Sequence, residues 1–154
     1  MITANHVIKE ADPDNIVARV GNAAVKLRIV SQDQASDLAA LLPSQAIPYT
    51  PLVLRATSPH KGEVVTLTGF PIPDVIGESS AATVQGPVID DASTVGGIAD
   101  FKIAAPATHG DSGAPVLDGE NSVVGVVIYA AGDKQSAYAV EGFNVLKLLG
   151  EVRP

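Results

Sequence analysis

Thr108-His109-Gly110-Asp111-Ser112-Gly113-Ala114-Pro115 is the stretch on which the reading of this chain turns. A serine between glycines can sit on a tight backbone turn with its hydroxyl exposed, and the amides of Gly110 and Ser112 can then point at one place. That is the geometry of a nucleophile with an oxyanion hole. At ordinary residue frequencies a Gly-Asp-Ser-Gly-Ala/Gly-Pro string arises on the order of once in ten million starting positions, so chance is a weak explanation. The competing reading is a glycine-rich hairpin turn, where Asp ahead of Ser is a common composition.

Composition bounds what can surround that stretch. A chain of 154 residues fits one domain, long enough to bury about two-thirds of its unfolded surface. Apolar residues make up 46% and aromatics only 4%, so the core is built from Val, Ile, Leu and Ala, a β-branched mix that favours strands. Fourteen glycines and eleven prolines cut the chain into short elements joined by turns, as in sandwiches and barrels. The predicted class is all-β. Ten basic and 17 acidic residues give a net charge of -7, and without a Lys/Arg cluster the expectation is no nucleic acid and no membrane partner. The absence of cysteine excludes disulfides, thiolate catalysis and cysteine-ligated metals, and nothing in the chain implies a cofactor or metal. No basic-then-apolar leader opens the sequence, and no window approaches a membrane span in length. Composition leaves the compartment open, with secretion or processing from a larger precursor as the expectation.

Gly110-Asp111-Ser112-Gly113-Ala114-Pro115 resembles the nucleophile motif of trypsin-like (chymotrypsin-fold) serine peptidases, with Ala114 standing where a glycine is usual. Two further strings support the resemblance. Thr3-Ala4-Asn5-His6 is similar to the Thr-Ala-x-His string that carries the family's catalytic histidine, and Asp37-Leu38-Ala39-Ala40-Leu41 is similar to its Asp-Ile/Leu-Ala-x-Leu string. His6, Asp37 and Ser112 also occur in the family's order. The resemblance implies His6 as general base, Asp37 as the carboxylate that orients it, Ser112 as nucleophile, and the amides of Gly110 and Ser112 as the oxyanion hole. Asp33 is the rival carboxylate but lacks the apolar run behind Asp37, and Asp37 also reads as a solvated cap. Asp111 is implied to be structural, buried and tied to a cation. The short gap from His6 to Asp37 resembles the smaller bacterial and viral members.

The fold implied is two six-stranded antiparallel β-barrels and a short C-terminal helix. Residues 16–20 and 25–30 alternate around Gly21-Asn22 as a hairpin. Three prolines between residues 43 and 51 forbid a regular element there. The expected organisation is therefore a single peptidase domain, with a partial first barrel over 1–50, a linker over 51–60, and a second barrel plus helix over 61–154. In the second barrel, a turn and strand are expected over 61–71 and strands at 81–88, 101–103, 123–130 and 136–140, with residues 90–97 as a polar loop and a helix over 143–149 stopped by Gly150. His6 lies so early that the strands preceding it in the family are absent from these residues. The first barrel is expected to be incomplete on that side, and three readings stand open: the chain is a fragment, another chain or segment supplies the strands, or the barrel is a reduced one.

The implied function is a serine endopeptidase acting on proteins or peptides through an acyl-enzyme. The alternative is a catalytically silent homologue that serves as a binding or structural module. A serine esterase on another fold is disfavoured, because Ala114 breaks the Gly-x-Ser-x-Gly elbow. Pro106 stands six positions before the serine, where trypsin-like preference for Arg or Lys needs an acidic residue. Pro106, Ile128, Tyr129, Ala130 and Ala137 map to the substrate pocket and imply a small or apolar side chain there. His109 at its mouth is the minor reading, for an acidic one.

Overall fold

A computed structural model describes residues 1–71, 80–133 and 135–151. Its strands form two sheets. The first has four strands, β1 (Ile2–Ala4), β2 (Val17–Val20), β3 (Ala23–Asp33) and β4 (Leu38–Pro43), in the order β1-β4-β3-β2. A four-residue helix, α1 (Asn5–Ile8), leaves the end of β1. The hairpin expected at Gly21-Asn22 is present, with Val20 opposite Ala23 and a positive φ of 58° at Gly21. β4 is buried on both faces, which its unbroken Leu-Ala-Ala-Leu run requires. Leu38 and Ala40 face one apolar cluster and Ala39 and Leu41 another.

The second sheet closes into a six-stranded antiparallel barrel in the order β10-β7-β6-β5-β8-β9. Its strands are β5 (Val64–Gly69), β6 (Ala82–Val95), β7 (Ile98–Ile103), β8 (Pro115–Leu117), β9 (Val123–Ala130) and β10 (Ala137–Glu141). Val65, Leu67, Val88, Phe101, Ile103, Val116, Val124 and Val127 fill the interior. Between the first sheet and the barrel, residues 44–63 carry no regular element beyond a single bridge from Leu54 to Val123, as three prolines dictate. Arg55 pins this stretch by pairing with Glu63 at 2.5 Å and Asp118 at 3.2 Å. A second helix, α2 (Gly142–Glu151), packs against β3, β4 and β9.

Three expectations need correcting. Residues 90–97 are not a polar loop, because β6 runs on to Val95 and pairs through two register shifts with β7. This extension is largely solvent-exposed, so its polar composition hid a strand pattern that assumes one buried face. β8 has only three residues and followed the nucleophile loop too closely to be read. α2 does not stop at Gly150 but continues to Glu151, since a glycine in the exposed last turn weakens a helix without ending it. The first sheet is four-stranded and open, as the incomplete barrel predicted.

Candidate active site

Antiparallel pairing places the first two residues of the site. β1 lies on β4 with Ala4 opposite Leu38, so the residues just beyond each, in α1 and in the turn before β4, face one another. Asn5 N–H donates to the Asp37 carbonyl at 2.8 Å and His6 N–H to Asp37 Oδ1 at 2.8 Å. The other carboxylate oxygen, Oδ2, lies 2.6 Å from His6 Nδ1. Asp37 is buried and holds a positive φ of 52°, a conformation Asp tolerates better than most residues. Asp33 does different work. It accepts from Ala35 N–H and Ser36 Oγ–H and so closes the turn that leads to Asp37.

The third residue comes from the barrel, 106 positions away in the chain. Ser112 Oγ lies 3.2 Å from His6 Nε2 and 3.5 Å from the Ile128 carbonyl. Hydrogen bonds from Gly113 N–H to the Val127 carbonyl (2.8 Å) and from Val127 N–H to the Ala114 carbonyl (2.9 Å) fasten this loop to β9. Thr108 to Asp111 form a turn in which Asp111 N–H donates to the Thr108 carbonyl at 3.2 Å and Gly110 has φ 99°. A positive φ at the third residue marks a type II turn, which sets the His109–Gly110 peptide in one of its two orientations. Neither Gly110 N–H nor Ser112 N–H donates to another described group. Asp111 is buried, and its Oδ2 accepts from Thr108 N–H at 2.9 Å. Among the described residues it pairs with no cation, so the expected ion pair is replaced by a backbone donor.

The remaining expected residues divide by exposure. Pro106, His109 and Ala130 are exposed beside the nucleophile loop and at the end of β9, and Tyr129 is half-buried. Ile128 and Ala137 are fully buried, the first between the sheets and the second in the barrel interior. Ile128 therefore reaches the site through its carbonyl rather than its side chain. Three neighbours do work at the site that the motifs did not assign to them. Asn5 is buried, and its side-chain oxygen accepts from Gln32 Nε2 at 2.8 Å, which braces α1 against β3. Gly69 leaves the space that Asp111 Oδ1 occupies. Tyr129 stacks on His6 with ring centroids 5.8 Å apart and planes 5° from parallel. Only a glycine and an aromatic at the right strand ends hinted at the last two.

A closed antiparallel barrel, a second curled sheet and a Ser-His-Asp cluster at their junction define the trypsin-like peptidase class. The chain belongs to the trypsin-like peptidase domain family, whose pattern matches residues 1–126. It is 31% identical over 162 aligned positions to serine protease Rv3671c of Mycobacterium tuberculosis, covering 99% of this chain and 39% of that protein. It is also 31% identical over 143 positions to the uncharacterized protein y4bJ of Sinorhizobium fredii, covering 92% of this chain and 22% of that one. The chain thus spans less than half the length of the curated relatives it matches. Among solved structures, the HtrA-type protease AlgW with a decapeptide superposes with a TM-score of 0.82 at 18% identity, over 98% of this chain and 47% of that one. The active form of Rv3671c gives 0.81 at 24% identity, over 98% and 68%.

Proposed function

We propose that this chain is the catalytic domain of a serine endopeptidase, with Ser112 as nucleophile, His6 as general base and acid, and Asp37 as the residue that orients the imidazole. One observation carries the reading: a continuous chain of contacts from Asp37 Oδ2 to His6 Nδ1 at 2.6 Å and from His6 Nε2 to Ser112 Oγ at 3.2 Å. A serine hydroxyl is a poor nucleophile near neutral pH until a base takes its proton. His6 Nε2 removes that proton as Oγ attacks the peptide carbonyl, and the imidazolium then protonates the leaving amine. Asp37 holds Nδ1 protonated and stabilises the cation. The free amides of Gly110 and Ser112 receive the oxyanion, each donor contributing about 3 kcal/mol. Water then hydrolyses the acyl-enzyme by the reverse use of His6.

The alternative, a silent homologue that kept the fold, is disfavoured by the same contacts, since a module that only binds has no need of all three groups in register. For substrates, the proposal is a small or apolar side chain on the acyl side of the cut. Pro106 and Ala130 offer no carboxylate to a cation, while exposed His109 suits an acidic side chain as the minor preference. For a partner, the proposal is an extended strand that completes the first sheet, whose end strands β1 and β2 each have one edge unpaired among the described residues.

Fluorophosphonate labelling with mass mapping, followed by turnover of a peptide library, tests this reading. Label is expected on Ser112, and Ser112→Ala is expected to lose at least about a thousandfold in turnover with its fold intact. His6→Ala should be nearly as severe and non-additive with it. Turnover retained by a clean Ser112→Ala preparation, or a library profile dominated by Arg or Lys, would overturn the corresponding part.

A further inference from the structure

The two hydrogen bonds that hold His6 leave one motion free. Nδ1 meets Asp37 at 2.6 Å and Nε2 meets Ser112 at 3.2 Å, so the imidazole can rock about the line joining its own nitrogens without losing either partner. The side chain is 39% exposed, and the helix that carries it has only four residues. A flat surface against the ring face limits that rocking. Tyr129 supplies one, with ring planes 5° from parallel and centroids 5.8 Å apart, inside the range of offset-stacked aromatic pairs.

Tyr129 is itself fixed. It sits near the end of β9 opposite Tyr138 of β10, and its phenol oxygen lies beside the tip of the β6–β7 hairpin, where a Cβ added at Gly96 would come within 3.9 Å of it. The stack therefore joins the two halves of the molecule, with the base on the open sheet and its backing on the barrel. The face of an aromatic ring also attracts a cation. In the proposed reaction the imidazole becomes a cation as Ser112 gives up its proton, so this attraction strengthens in the transition state.

We infer that Tyr129 is a positioning residue for His6, its ring holding the imidazole in the orientation that meets Asp37 Oδ2 on one side and Ser112 Oγ on the other. The inference rests on the peptidase reading for its kinetic consequence but not for its geometric one. A role only as a wall of the substrate cleft would act through KM. A positioning role acts through kcat, because a slightly misaligned base slows proton transfer while leaving binding alone.

The test compares Tyr129→Leu and Tyr129→Phe in the full chain. Turnover is measured on the best library peptide, and the imidazole C–H signals of His6 are followed by NMR in a Ser112→Ala background, assigned by their loss in His6→Ala. Tyr129→Leu is expected to lower kcat about tenfold to a hundredfold, with KM changed less than about threefold. It should also move the His6 signals out of the ring-current position. Tyr129→Phe keeps the ring and is expected to recover most of kcat and the original signals. A Leu variant with unchanged kcat, a loss confined to KM, or His6 signals that stay in place in Tyr129→Leu would each overturn the inference. If the wild-type chain cleaves nothing, the peptidase reading fails and the NMR arm still decides whether Tyr129 positions the imidazole.

Discussion

Asp100 is the residue whose surroundings demand most from the rest of the chain. It lies on β7, opposite Val140 of β10 and Ser93 of β6, and is only 2% exposed. Among the described residues, neither carboxylate oxygen has a hydrogen-bond partner of good geometry. Burial pushes its pKa up to about 6, helped by the negative charges of Asp90 and Glu141 and opposed by the nearby backbone N–H of Val95. Because the folded protein holds this proton more tightly than the unfolded chain does, the stability it contributes is complete below about pH 4 and is lost as pH rises through about 6. Asp100→Asn cannot titrate. The difference in unfolding free energy between the variant and the wild type is therefore expected to move in the variant's favour by on the order of 2–3 kcal/mol between about pH 4.5 and pH 8. Denaturant unfolding at the two pH values checks this, and a difference that does not change with pH would refute it. Comparing the two proteins cancels the carboxylates that act the other way, such as Glu63, which its Arg55 partner holds below its usual range.

At the scale of elements, the open sheet is the exposed part of the design. Met1 and Leu41 exchange both backbone bonds, at 2.7 and 2.8 Å, so the N–H and C=O of Ile2 point away from β4. Beside that edge runs an apolar trough of about 1010 Å³, lined by Ile2, Leu42, Ile47, Leu52, Val126 and Leu149 among others. This trough is not where His6, Asp37 and Ser112 meet, and it reaches the loop that carries Ser112 at Gly113 and Pro115. An unpaired edge over an apolar trough accepts an extended strand with apolar side chains, in cis or in trans. Supplying one, fused ahead of β1 or added as a peptide, is expected to raise turnover by up to about a hundredfold by steadying β1 and the His6 helix behind it. Turnover and oligomeric state should be measured together. A monomer that is already fully active, with no gain from the strand, would end this idea.

For the whole molecule, the proposed activity depends on two sheets keeping a fixed relation. Ala4, Leu38 and Ala40 of the first sheet, Val126, Ile128 and Val140 of the barrel, and Val145 and Leu148 of α2 form one buried cluster. That cluster sets the distance from His6 to Ser112. Leu148 is fully buried in it, and Leu148→Ala should cost about 2–5 kcal/mol. Because the void lies between the halves, turnover is expected to fall more than about tenfold at temperatures where circular dichroism still reports a folded chain. Equal sensitivity of turnover and fold to this substitution would argue that the two halves do not shift relative to each other.

How much of this was legible beforehand follows from range along the chain. The Gly110-to-Pro115 loop, the Gly21-Asn22 hairpin and the all-β class were readable because turn chemistry and strand alternation act over a few residues. The resemblance picked out His6, Asp37 and Ser112, whose side chains the structure brings together. Local pattern misread residues 90–97, since a ribbon wet on most of its surface carries no alternation, and it could not place the partner of Asp111 or the burial of Ala137. Asp100 reads as one more polar residue in a polar segment until β6, β7 and β10 close around it. The stack of Tyr129 on His6 joins residues 123 positions apart, one on barrel strand β9 and the other on the helix that leaves β1. Sequence by itself determined which groups are present and which turns they sit on; only tertiary packing decided their distances and their exposure to water, because both depend on contacts between segments far apart in the chain.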